Sequence, residues 1–268
     1  MNSLRITLIQ TELYWEDRTA NVSSLEEKIW RIGQETDVIV LPEMFTTGFT
    51  MNAKRLAEPL NLHTFKWMKQ MAAQTGALIL GSYIAEEDTK FHNRLLWMQP
   101  DGRFFTYDKR HLFRMADEHL TYTAGTSRLT AEWKGWRICP LICYDLRFPV
   151  WSRNVYRSDL GRMDYDVLIY VANWPAARIQ AWDVLLKARA VENLCYTAGV
   201  NRVGKDGNNI DHNGHSAVYG PRGETLAFAA DRETTLTVEL SWDELATYRE
   251  KFPAWMDADD FKISTTNL

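Results

Sequence analysis

Cysteine is scarce in this chain: Cys139, Cys143 and Cys195 are the only three among 268 residues. So small and odd a number argues against a disulfide framework and for a cytoplasmic protein with reduced thiols. Long apolar runs are missing as well, and none approaches the roughly 18 residues that a membrane span requires. Nor does one sign of charge dominate. Lysine and arginine total 31 against 35 acidic residues, a formal net charge of −4. That balance gives no electrostatic reason to expect nucleic acid or an anionic membrane as partner. Linker-like composition, low-complexity tracts and internal repeats are absent too. The start, Met1-Asn2-Ser3-Leu4-Arg5-Ile6, passes straight into strand-like sequence without a signal-peptide pattern.

What remains is an ordinary globular composition, 46% hydrophobic and 25% charged, in a length that suits one large α/β domain spanning 1–268. Eleven tryptophans are many for this length. Their plainest use is packing in the core and at a subunit interface. Residues 4–9 read as a strand and 21–32 as a helix, with Leu25, Ile29 and Ile32 on the helical period. A buried strand at 38–41, a helix at 62–74 and a strand at 77–85 follow. Strands 91–99 and 104–107 flank Pro100-Asp101-Gly102, a hairpin signal that 130–133 and 136–143 repeat around Lys134-Gly135. Strands at 166–172 and 196–201 enclose a helix at 181–193. Further strands at 216–219, 225–229 and 234–240 precede a short helix at 242–248 and a polar tail. Hairpins mixed with helical crossovers predict two stacked mixed sheets between helical layers.

Three strand ends stand out. Cys139-Pro140-Leu141-Ile142-Cys143-Tyr144-Asp145-Leu146-Arg147-Phe148-Pro149 ends an apolar run on a thiol and turns at once. Asp37-Val38-Ile39-Val40-Leu41-Pro42-Glu43 delivers a carboxylate, and the aromatic run from Phe104 to Tyr107 delivers the ammonium of Lys109. A free thiol near pKa 8.5 is mostly protonated at neutral pH and needs a base. No histidine occupies a comparable strand end. A carboxylate serves if burial raises its pKa, and Glu43 after Pro42 is placed for that. Lys109 and the backbone N–H of Tyr144 would then stabilise an oxyanion. The chemistry implied is attack on a carbonyl or nitrile carbon, loss of ammonia and hydrolysis of the thioester. Singly, each residue has a plainer reading: a packing thiol, a solvated turn carboxylate, a surface cation. Jointly the shared strand-exit context favours one active site.

Leu41-Pro42-Glu43-Met44-Phe45, Tyr107-Asp108-Lys109-Arg110-His111-Leu112-Phe113 and Cys143-Tyr144-Asp145-Leu146-Arg147-Phe148-Pro149 resemble the three signature blocks of the carbon–nitrogen hydrolase (nitrilase) superfamily. The resemblance spans nearly the whole chain. It implies a four-layer α-β-β-α sandwich and a catalytic set of Glu43, Lys109 and Cys143, with Glu118 as a second glutamate close by. It implies no cofactor and no metal, and a homodimer or larger homo-oligomer. Asn173 and Trp174 fall where the family builds a pocket wall, and Tyr144 and Arg147 complete the expected substrate contacts. Glu192, Asn193 and Cys139 read as structural, His111 and His119 as local hydrogen-bonding residues.

Within the superfamily the chain is most similar to bacterial omega-amidases. Lys109 to His119, the run Cys143 to Trp151 and Glu250-Lys251-Phe252-Pro253-Ala254-Trp255 carry that likeness. The implied reaction releases ammonia from the terminal amide of 2-oxoglutaramate or 2-oxosuccinamate. Such substrates carry a carboxylate, for which Arg147 is the candidate partner, its alternative being an ion pair with a neighbouring carboxylate. Another family amidase, a nitrilase, a carbamoylase, a Cys-dependent acyltransferase or a silent scaffold are the competing readings.

Overall fold

The computed structural model of the chain describes residues 3–259 and 261–263. Met1 and Asn2 of the strand-like start, and residues 260 and 264–268 of the polar tail, lie outside the described residues. Two mixed sheets face one another. The first, of seven strands, runs in the order Thr234–Ser241, Ser3–Gln10, Val38–Val40, Leu78–Glu87, Lys90–Met98 and Phe104–Asp108, with Glu58–Pro59 also paired to Leu78–Glu87. The second, of six, runs Thr225–Phe228, Ala217–Tyr219, Tyr196–Val200, Val167–Val171, Trp136–Ile142 and Ala131–Trp133. Parallel pairing occupies the middle of each sheet and antiparallel pairing its edges. Parallel strands must be joined by crossovers, so helices end up on the outer faces.

Side-chain parity explains the layers. Leu4, Ile6, Val38, Val40 and Leu80 share one apolar cluster with Ile138, Val167, Ile169 and Val200 of the opposite sheet. Residues of the other parity, such as Ile39, Ile79 and Leu96, pack against Leu25 and Ile29 of helix Arg18–Trp30 and Met68 and Met71 of helix His63–Thr75. Alternation at period two thus fills both faces of the first sheet. Across the second sheet, helix Ile179–Asn193 lies so near the strand Tyr196–Val200 that a Cβ on Gly199 would meet Leu186 Cδ1 at 2.5 Å and Trp182 Cζ2 at 2.8 Å. Glycine is what lets Trp182 and Leu186 bury fully there, each contributing roughly 1.5–3 kcal/mol. The result is the helix–sheet–sheet–helix sandwich that the signature blocks imply.

Local differences from the sequence reading have local causes. The first long helix begins at Arg18, three residues before its expected start at 21, because Asp17 caps it, its side chain accepting from the Ala20 N–H at 3.0 Å. Lys134 (φ 49°) and Gly135 (φ 83°) make the left-handed pair that closes the Trp133/Trp136 hairpin. The strand expected to include Cys143 stops at Ile142, and Cys143 turns away with φ 43°. Cys143 therefore lies outside the two-residue alternation of the strand that holds Cys139.

Candidate active site

Each of the three chemistry-bearing side chains is delivered by a strand that ends abruptly. After Val38–Val40 the chain crosses over Leu78–Glu87, where Gly81 has no side chain: a Cβ there would sit 2.8 Å from Phe45 Cδ1 and 2.9 Å from Leu41 Cβ. The Met44 N–H donates to Ser82 Oγ at 2.8 Å and the Phe45 N–H to Ser82 O at 3.0 Å, pinning the turn. Glu43 is thereby aimed inward and fully buried. Lys109 follows the strand Phe104–Asp108, and its N–H bonds Asn93 O at 3.0 Å. Cys143 follows Trp136–Ile142 and opens a short 3₁₀ turn, Cys143–Arg147, whose Asp145 side chain accepts from the Ile142 N–H at 3.1 Å.

These ends converge. Lys109 Nζ donates to Glu43 Oε1 at 2.9 Å and to Glu118 Oε2 at 2.9 Å, with all three groups buried. Asn93 Nδ2 donates to Glu43 Oε1 at 2.8 Å and to Glu118 Oε1 at 3.3 Å. From the second sheet, the Asn173 N–H donates to Glu43 Oε2 at 2.9 Å, and Asn173 Nδ2 reaches the Glu43 carbonyl. Two carboxylates and one ammonium leave a formal excess of one negative charge. The charges interact strongly at this depth. Burial disfavours the Lys109 ammonium, but Glu118 and Glu43 outweigh it and hold its pKa above the ordinary value. Burial, reinforced by Glu43 and opposed by Lys109, raises Glu118. Burial likewise lifts Cys143 well above a free thiol, with the Glu43 charge adding to it and Lys109 subtracting. The thiol is therefore protonated at rest.

A cavity of about 330 Å³ opens onto Glu43, Lys109 and Cys143. Tyr144, Arg147, Asn173 and Trp174, the residues read as substrate contacts, all line it, whereas Glu118 sits behind Lys109 and off the cavity wall. The Arg147 guanidinium lies over the Trp174 ring, 5.1 Å from its centroid, and has no ion-pair partner among the described residues. Among the described residues the ion-pair alternative for Arg147 is not realised. Cys139 and Cys195 are fully buried away from this cavity, their pKa values pushed by burial up to about 11 and about 12. His111 bonds Asp145 as expected, while His119 Nδ1 is buried without a partner. Glu192 and Asn193 brace Arg189 and Asn154.

Sequence reasoning missed several wall residues: Phe49, Phe113, Arg178 and His212 line the cavity, and Asn93 bridges the carboxylates. Asn93 carried a usable signal, since His92-Asn93-Arg94 interrupts an otherwise apolar strand. His212 belongs to a small hairpin, Val203–Lys205 with Asp211–Asn213, that has no apolar alternation to betray it. Burial, then the Arg202 charge, lowers His212 to about 4, so this wall residue is neutral at physiological pH. Among the described residues no group of three or more His, Cys, Asp or Glu side chains could hold a metal ion, and no helix is long and apolar enough to cross a membrane.

Comparison with known proteins agrees with this architecture. Residues 5–250 match the family described as carbon-nitrogen hydrolase. The omega-amidase YafV of Escherichia coli K12 is 51% identical over 266 residues, covering 98% of this chain and all of its own. A 2-oxoglutaramate amidase of Bacillus subtilis is 32% identical over 94% of this chain and 96% of its own. Among solved structures, XC1258 of Xanthomonas campestris, a CN-hydrolase superfamily protein with an arsenic adduct in its active site, superposes with a TM-score of 0.96. It is 44% identical and covers 98% of this chain and 100% of its own.

Proposed function

Given that this chain belongs to the carbon–nitrogen hydrolase family and hydrolyses amide carbon–nitrogen bonds, we propose that it cleaves the terminal amide of small 2-oxo acid ω-amides through a thioester on Cys143. 2-Oxoglutaramate would give 2-oxoglutarate and ammonia, and 2-oxosuccinamate would give oxaloacetate and ammonia. The observation that carries this reading is the meeting of Glu43, Lys109 and Cys143 at the buried end of one cavity.

The sequence of bonds follows from the charge state. Cys143 Sγ attacks the amide carbon while its proton passes to Glu43, since a thiolate beside two carboxylates would be costly in advance of bond formation. The carbonyl oxygen becomes an oxyanion facing the Lys109 ammonium and the Tyr144 N–H. Glu43 returns its proton to the departing nitrogen, and ammonia leaves. Water then adds to the thioester, giving its proton to Glu43, and collapse restores the thiol and releases the carboxylate product. Glu118 holds Lys109 charged and in place.

Electrostatics also orients the substrate. The net-negative inner end admits a neutral amide but repels a carboxylate, whereas Arg147 on the outer wall offers a free guanidinium. An ω-amide, neutral at one end and anionic at the other, fits that polarity. The test is ammonia release from 2-oxoglutaramate and from a nitrile of equal length, with Cys143→Ala alongside. The amide should be turned over, the nitrile left intact, and the variant silent. Equal turnover of the nitrile, or none of the amide, would overturn the reading.

A further inference from the structure

Arg178 shares the cavity with Arg147, and like Arg147 it has no ion-pair partner among the described residues. Most guanidiniums elsewhere in the molecule are engaged, either by carboxylates, as where Arg94 meets Asp108 at 2.6 Å and Arg249 meets Asp166 at 2.7 Å, or by backbone carbonyls, as with Arg110, Arg153 and Arg202. These two are laid over aromatic faces, Arg147 on Trp174 at 5.1 Å and Arg178 on Phe113 at 5.3 Å. Stacking fixes the plane of a guanidinium while leaving its in-plane N–H groups free to donate. The one side-chain bond Arg178 makes is to Met115 Sδ at 3.9 Å, a weak acceptor. Its own carbonyl accepts the Trp174 indole N–H at 2.9 Å, so one tryptophan ties both arginines to the same wall.

Two carboxylates besides Glu43 line the cavity. Asp206 accepts from the N–H groups of Asn208 (2.8 Å) and Ile210 (3.0 Å) and faces the buried Arg202 charge, so it is already balanced. Asp117 is exposed and stands alone against Arg147 and Arg178. The outer end of the cavity is therefore cationic, opposite in sign to the inner end.

We propose that Arg178 is a specificity-determining residue that grips, together with Arg147, the anionic end of the substrate. This rests on the amide-hydrolase reading above. A carboxylate beside a 2-oxo group presents three oxygens in or near one plane. One guanidinium satisfies two of them in bidentate fashion, and a second is needed for the rest. Two free, pre-oriented forks thus select acid-bearing ω-amides over uncharged ones and add a preference for the 2-oxo group.

The experiment measures kcat and KM of the parent, Arg178→Met and Arg178→Lys on 2-oxoglutaramate, glutaramate and the uncharged butyramide. Arg178→Met should raise KM for the two acids by about tenfold or more while kcat changes little, because a charge-assisted hydrogen bond is lost from the bound substrate. Its kcat/KM on butyramide should move by less than about twofold, which reports an intact fold. Arg178→Lys should fall between the two, keeping charge but losing the fork. Equal losses on acid and neutral amides, or an unchanged KM for the acids, would overturn the proposal, as would a parent that favours butyramide. A parent that turns over glutaramate but not 2-oxoglutaramate defeats the substrate reading and the 2-oxo preference, while the acid-against-neutral comparison still decides whether Arg178 grips the carboxylate.

Discussion

Two buried carboxylate clusters tie the same pair of sheets together, and they are built on opposite principles. Asp145, just past Cys143, accepts from Tyr107 OH (2.7 Å), His111 Nδ1 (2.8 Å), the His111 N–H (3.0 Å) and the Ile142 N–H (3.1 Å). Trp151 Nε1 in turn donates to Tyr107 OH at 3.0 Å. Both oxygens are saturated, and Asp145 does not line the cavity. The Glu43 cluster holds two carboxylates around one ammonium, and Asn93 Oδ1 and Asn173 Oδ1 beside it are buried without partners. A saturated cluster has one stable arrangement and serves as a brace. A cluster with uneven charge has a proton to move and atoms to offer, which is what a reaction requires.

The sharpest way to break this contrast is Glu43→Gln. Removing the proton acceptor proposed for Cys143 should cut ammonia release by something on the order of a thousandfold, read as initial rates. Near-parental rates would mean that the uneven cluster is not the reactive one. Lys109→Met comes next. It leaves two buried carboxylates facing each other and should cost about 3–5 kcal/mol in a denaturant titration. Burial already raises Glu118, and removing Lys109 removes the charge that restrains that rise. The folded variant then binds a proton that the unfolded chain releases near pH 4.5. Its stability should therefore fall as pH rises above about 4.5, a trend the parent shows less. A pH-independent deficit would contradict the charge account. Tyr107→Phe should do least. It removes one of the four donors to Asp145 and should cost about 1 kcal/mol while kcat stays within a few-fold of parental. A kcat collapse there would erase the distinction between brace and reactive cluster.

How much of this was legible beforehand depended on whether local sequence carried the cause. The layered sheets follow from period-two runs and hairpin turns, so the strands of both sheets lie within a few residues of their expected bounds, except the unforeseen two-residue strand Glu58–Pro59. Glu43, Lys109 and Cys143 were visible because each interrupts an apolar strand at its exit. Arg178 and His212 were not: Arg178 sits in a connecting segment placed by contacts such as the bond from Trp174 Nε1 to Arg178 O, and His212 in a three-residue strand too short to show alternation. The free state of Arg147 was equally hidden: an unpaired guanidinium differs from a paired one only in what surrounds it. Short pairings such as Tyr156–Arg157 with Arg162–Met163 are too brief to leave a pattern.

The main chain at Cys143, in the left-handed region, limits what evolution or design can substitute there. A β-branched residue is severely disfavoured at φ near 43°. Threonine is thereby barred, and a hydroxyl in place of sulfur has to arrive as serine. Glycine would relax the turn but bring no reactive atom. The choice of reagent at this corner is thus restricted by torsion before reactivity is ever tested.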